Sequence, residues 1–314
     1  MTNSDLEPTS PPNPAAAAPR NSKRRRRTLI ISAASAVAVV AIGVTSVTLT
    51  QLGNAPKHDI VAPVTAVPKP TTQEQIAALS MAKTLALPRA DYTATIPGLI
   101  AWSSTITGPV QVGTVKTITP LYGEYRKTAV ARLDKQDFLG KPVVVPVIAT
   151  DGQWSEILTP ARVNLPSTSK GNAPAQSAAW VPTANLVGLT PVPAHVRVNL
   201  SELTLTVTGM DGQEQTFPVA IGKTDTPTPA GVSGYLEARF VDASQGTGDQ
   251  PIQMTSLHSQ TQDAPVSGGI GGVIAMHYFD ARAGAVSHGC LRLSAEAVAA
   301  LNAIPLGSIV TAER

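Results

Sequence analysis

The chain has 314 residues, long enough for about two domains at ~150 residues each. Charged residues make up 14% and aromatics 4%, which excludes a charge-rich coiled coil and argues against a stacking platform for nucleic acid. The one cysteine excludes an internal disulfide and any zinc finger built on two or four cysteines. The net charge of +3 is local: residues 1–27 carry six basic and two acidic groups, and the remainder carries 18 and 19. No basic face for nucleic acid is therefore expected on the folded part.

Residues 1–27 read as a disordered basic tail, mostly Pro, Ala, Ser, Thr and Asn before Lys23–Arg27. Thr28 to Leu52 contains no charged residue. A run of ~20 apolar residues spans a bilayer as a helix, and the basic flank predicts an N-terminus held in the cytoplasm. The expected location is thus the cell membrane, single-pass, with residues 53–314 outside on the wall side. A cleaved signal peptide is the competing reading, but the small-residue site Ala34-Ser35-Ala36 falls inside the apolar run. Residues 53–91 read as a Pro-rich stalk with a short helix within Gln73–Leu87.

Residues 92–190 read as a small all-β module. Runs such as Val110–Thr119 and Pro142–Ile148 alternate with turn signals, and Asp151-Gly152 opens an alternating strand through Trp154. Residues 191–314 form a second unit. Strands are expected over Val196–Asn199 and Leu203–Thr208, with a hairpin turn at Met210-Asp211-Gly212 and a rigid turn at Thr226–Gly231. Gln245–Ser267 reads as loop-rich, and Gly269–Met276 as an apolar strand. Ser294 caps a helix from Ala295 to about Asn302, and a last strand follows at Ser308–Thr311.

The informative segment ends that apolar strand in Met276-His277 and continues to Ser287-His288-Gly289-Cys290-Leu291-Arg292-Leu293. A thiol at its free pKa of ~8.5 is mostly protonated at neutral pH, so a nearby imidazole would be needed to take the proton. Gly289 leaves room for a substrate carbonyl, and backbone N–H groups near Cys290 offer an oxyanion hole. Arg292, two positions on, shares a face with Cys290 in an extended chain. Each residue has a plainer reading: a buried apolar thiol, a satisfied structural histidine, a salt-bridging arginine. Zinc held by His258, His277, His288 and Cys290 is a weaker reading, because the spacing lacks tight ligand pairs.

Ser-His-Gly-Cys, an apolar residue and Arg, with an upstream strand-ending histidine, resembles the L,D-transpeptidase catalytic domain (YkuD-type). Val219–Gly222 and Thr228-Pro229-Ala230-Gly231 agree with that pattern. The region with Trp154, Leu158, Pro160, Arg162, Asn164 and Trp180 is similar to the SH3-like module that precedes this domain in some members. The resemblance implies a mainly β chain: a catalytic β-sandwich with a packed helix, after a small SH3-like module and a transmembrane helix. It implies an acyltransferase that cross-links peptidoglycan stem peptides, donor and acceptor, through a thioester on Cys290, releasing D-Ala from a tetrapeptide stem. His277 matches the general base. Ser287, His288, Gly289 and Arg292 match positions around the oxyanion hole and pocket. Tyr278 stands where many members have a small residue, and His258 is a candidate on the donor side, against a loop-packing role. No metal or organic cofactor is implied. The middle module would be a spacer or a wall-binding element. The alternatives are a hydrolase (L,D-carboxypeptidase) on the same fold and a non-catalytic wall-binding protein.

Overall fold

The computed structural model describes residues 79–242, 248–263 and 272–314. The predicted tail and anchor, and most of the stalk, lie outside the described residues. Among the described residues no helix is long and apolar enough to cross a membrane. The end of the predicted stalk is folded. Helix α1 (Met81–Leu85) is capped by Ser80, whose Oγ accepts from the Lys83 N–H. The chain then docks on the β-module, where the Arg132 guanidinium donates to the carbonyls of Leu85 and Leu87 and Ala90 is buried.

The first sheet holds β1 (Ile100–Trp102), β2 (Val110–Val115), β3 (Thr119–Tyr122), β4 (Ala129–Leu133), β5 (Val144–Asp151), β6 (Trp154–Thr159), β7 (Gln176–Pro182) and β8 (Leu186–Val192). Their order is β4-β3-β7-β6-β5-β2-β8, with β1 also on β7, and the paired neighbours are antiparallel. With eight strands, this sheet is larger than the small SH3-like module expected.

The second sheet comprises β9 (His195–Asn199), β10 (Thr204–Thr208), β11 (Glu214–Pro218), β13 (Val232–Phe240), β14 (Ile252–His258), β15 (Val273–Tyr278), β17 (Leu291–Leu293) and β18 (Ile309–Glu313). The short strands β12 (Ile221–Gly222) and β16 (Ala285–Ser287) pair separately. The order is β11-β10-β9-β18-β13-β14-β15-β17. The β10–β11 hairpin turns at the predicted Asp211-Gly212, where Asp211 Oδ1 accepts from the Gln213 N–H. Helix α2 (Ala295–Asn302) lies against β14 and β15, and Ser294 Oγ accepts from the Ala297 N–H as its cap.

The expected loop over Gln245–Ser267 is corrected: β14 occupies its centre and is buried along its whole length. Its polar residues bond inside the protein instead of facing water. Thr255 Oγ1 donates to the Ile274 carbonyl at 2.6 Å, and Gln253 Nε2 to Asn302 Oδ1 at 2.7 Å. Strand β13 also carries no sequence expectation, since Gly234, Glu237 and Arg239 interrupt its apolar pattern. Arg239 is spent on the carbonyls of Leu301 and Ile304 at the end of α2.

The two sheets share a core. Val110, Val112, Leu158, Ala178 and Val192 of the first cluster with Val196, Leu236, Met276, Leu291, Leu293 and Leu301 of the second. Fully burying one such leucine contributes about 1.5–3 kcal/mol relative to exposure, so this shared interior binds the modules firmly.

Candidate active site

The strand register builds the site. β15 and β17 run parallel, with Met276 opposite Leu291, His277 opposite Arg292 and Tyr278 opposite Leu293. Side chains alternate along a strand, so Met276, Leu291 and Leu293 enter the core while Ala275, His277, Cys290 and Arg292 take the other face. β17 thus alternates as Leu-Arg-Leu, with Cys290 immediately before it, and its polar side faces the site. Cys290, His277 and Arg292 are all half-buried.

The turn before Cys290 is held from both sides. Ser287 is 2% exposed; its Oγ donates to the Cys290 carbonyl at 2.5 Å and accepts from the Gly289 N–H at 3.1 Å. Thr226 Oγ1 donates to the Ser287 carbonyl at 3.2 Å and Thr228 Oγ1 to the Gly289 carbonyl at 2.8 Å. Gly289 has φ +115°, and a Cβ there would come within 2.9 Å of Ile274 Cδ1. Only glycine suits that backbone and that space. Thr226 and Thr228 were not singled out as site residues from sequence; the Thr-Pro-Thr-Pro run is the signal that marks them.

His277 Nδ1 lies 3.0 Å from the Tyr278 carbonyl. A carbonyl accepts only, so Nδ1 carries the proton and Nε2 keeps its lone pair, the form a base needs. Burial and the Arg292 charge lower the His277 pKa, partly offset by that carbonyl. Burial raises the Cys290 thiol, opposed in part by the Ala275 backbone and Arg292. Burial thus disfavours the charged form of both groups. The thiol sits 4.0 Å from the Val273 carbonyl oxygen, and among the described residues no hydrogen bond joins it to the imidazole.

Arg292 braces the loop after β15. Its Nη1 donates to the Ala281 carbonyl at 3.0 Å, and its guanidinium lies 4.2 Å from the Phe279 ring centroid. His288 is exposed at the turn. Tyr278 does not present its ring to the thiol. Alternation packs the ring partly against the core, its hydroxyl donates to the exposed Asp280, and only its carbonyl serves the site. Among the described residues no group of three or more His, Cys, Asp or Glu is placed to hold a metal.

His258 is corrected more sharply. It is 1% exposed, with Nδ1 and Nε2 each 3.1 Å from a carbonyl, those of Ser256 and Tyr92. It is an inter-module packing residue with no opening to a donor. Burial and the nearby Arg162 charge lower its pKa to about 4. The unfolded chain takes up this proton below about pH 6.5 and the fold resists until about 4. Stability present above that window is lost as the pH falls through it, by about 3 kcal/mol. Urea unfolding at pH 7 and 4.5 should show a smaller acid loss in His258→Gln than in the parent; an equal loss refutes this assignment.

Residues 193–311 match the family model of YkuD, the L,D-transpeptidase catalytic domain. No curated protein matches the chain. Among solved structures, an L,D-transpeptidase from Mycobacterium smegmatis is 18% identical, covering 55% of this chain and 100% of that one, with TM-score 0.29. L,D-transpeptidase 3 from Mycobacterium tuberculosis is 18% identical over 54% and 97%, with TM-score 0.29. An L,D-transpeptidase from Stackebrandtia nassauensis is 17% identical over 38% of this chain, with TM-score 0.26, and the chain spans about half of its length, 54%. The similarity is thus to the YkuD L,D-transpeptidase catalytic domain, over residues 193–311, and the Ser287–Arg292 segment lies inside the matched region.

Proposed function

We propose that this chain forms peptidoglycan cross-links by L,D-transpeptidation, with Cys290 as nucleophile and His277 as base. The family-model match over residues 193–311 supports a peptidoglycan transpeptidase-type function. The observation that carries the finer reading is the pairing of His277 on β15 with Arg292 on β17, with Cys290 immediately before β17. Cys290 Sγ attacks the carbonyl of the third stem residue, and its proton passes to His277 Nε2. The S–C bond forms, the C–N bond to the terminal D-Ala breaks, and His277 returns the proton to the departing amine. A side-chain amine of a second stem then attacks the thioester and gives its proton to His277, which hands it to the sulfur. The Gly289 N–H is engaged by Ser287 Oγ, so the oxyanion donor of this turn is the Cys290 N–H. Arg292 steadies charge at the pocket. Residues 28–52 tether the enzyme to the membrane, with the catalytic domain on the wall side; the uncharged run and its basic flank support this part.

The test incubates the full chain with a disaccharide-tetrapeptide. Cross-linked dimers with released D-Ala are expected. Shortened monomers alone mean that water is the acceptor and the enzyme is a hydrolase. No turnover, with the chain folded, leaves a wall-binding protein.

A further inference from the structure

The β-module holds a residue whose side chain leaves it for the strand that carries His277. Arg162 follows β6 and is 3% exposed. Its backbone is locked inside its own module: the N–H donates to the Ala94 carbonyl at 2.9 Å, and the carbonyl accepts from the Ile96 N–H at 2.8 Å. The guanidinium reaches across. Nη1 donates to the Gln262 carbonyl at 3.0 Å, and Nη2 fills the place of a side chain at Gly272, where a Cβ would come within 1.9 Å of it. These contacts grip both ends of the connection between β14 and β15.

Neighbouring bonds point the same way. The Ser259 N–H donates to the Gly272 carbonyl at 2.7 Å, closing the base of that hairpin. From the β-module, the Ser167 N–H donates to Asp263 Oδ1 at 2.9 Å, and the Ala175 carbonyl accepts from the His258 N–H at 2.8 Å. Val273 follows Gly272 directly, and its carbonyl is the partner of the Cys290 sulfur. His277 lies further along the same strand. A buried guanidinium is costly to desolvate and stays only where its acceptors are fixed, so it fixes them in return.

Resting on the reading of Cys290 as nucleophile, we infer that Arg162 is a positioning residue of the active site. It sets the height and register of β15, and so the approach of His277 to the sulfur. The β-module is then a working part of the catalytic unit and not a spacer.

Steady-state transfer by the full chain compares Arg162→Ala, Arg162→Lys and, as a control in the same module away from this contact, Arg126→Ala. Arg162→Ala should lower kcat about 10- to 100-fold with KM changed less than about threefold, because a misplacement of order 1 Å costs turnover more than binding. It should slow alkylation of Cys290 by iodoacetamide, followed by intact mass, and speed amide exchange at Ser259 and along β15 but not β6. Arg162→Lys should recover part of kcat, and Arg126→Ala should match the parent. A merely structural role lowers the melting temperature and leaves kcat of the folded protein unchanged. If Arg162→Ala does not fold, Asp263→Ala decides, since Asp263 is exposed; it should show a smaller kcat loss in the same direction. Parental kcat in folded Arg162→Ala, or in Asp263→Ala where the former does not fold, overturns the inference. Cys290→Ala separates the two claims: if it keeps parental activity the nucleophile reading fails, whereas if it is inactive and the Arg162 variants match the parent, only the positioning role fails.

Discussion

Cys290→Ala is expected to abolish transfer, by at least about 10³-fold in kcat, while the fold is kept. Losses of this size follow when a covalent step loses its nucleophile and only binding and oxyanion stabilisation remain. The fold should tolerate the change because Cys290 lies on the half-buried face, and the core face of β17 is built by Leu291 and Leu293. The Ser287 hydroxyl bonds the Cys290 carbonyl, not its sulfur, so the turn survives. The chain has one cysteine, so intact mass gives an unambiguous second readout. A thioester or alkyl adduct should appear on the parent and vanish from the variant. Parental turnover by Cys290→Ala, with a normal melting curve, would end the assignment of a thiol nucleophile.

The second large effect is expected from the pH dependence and its loss in His277→Gln. In the parent, kcat/KM should rise with pH through a limb below the ordinary histidine value of ~6.5 and then stay flat to at least about pH 8. The direction follows from burial and from Arg292, which both disfavour the imidazolium. An unshifted histidine would put the limb at ~6.5, and burial of the strand end moves it to lower pH. His277→Gln should cost about 10²- to 10⁴-fold and lose this limb. Its residual rate should climb again only as the thiol ionises by itself, above its usual range, because burial raises it. A variant that keeps the parental limb would remove His277 from the role of base.

The strands of the candidate site were legible because their information is local. In β17 and the residue before it, Cys290 and Arg292 alternate with the buried Leu291 and Leu293, which shows a half-buried strand and its two faces. His277 ends an apolar run, the glycine at 289 marks a backbone few residues adopt, and Ser294 announces a helix that begins at Ala295 and ends at Asn302 as expected. The Met210–Gly212 turn was readable for the same reason. In each case the physics acts over a few residues: side-chain alternation, a cap, a left-handed φ.

What only the tertiary structure decided lies where a distant partner changes the meaning of a residue. β14 looks like a loop because Gln253, Thr255, Ser256 and His258 are polar, yet all are buried, their hydrogen bonds supplied by residues far along the chain or across the sheet. His258 reads as a ligand or pocket residue until the Tyr92 carbonyl is found on its ring, 166 positions away. Tyr278 serves the site through its carbonyl, which no side-chain pattern encodes. In sequence Arg162 stands only as one residue of the SH3-like resemblance, and the partners that give it a role, Gln262 and Gly272, reach it only through the packing of one sheet on the other. Periodicity and turn chemistry follow from neighbours in the chain, whereas the cost of burying a polar group depends on which acceptors folding brings to it.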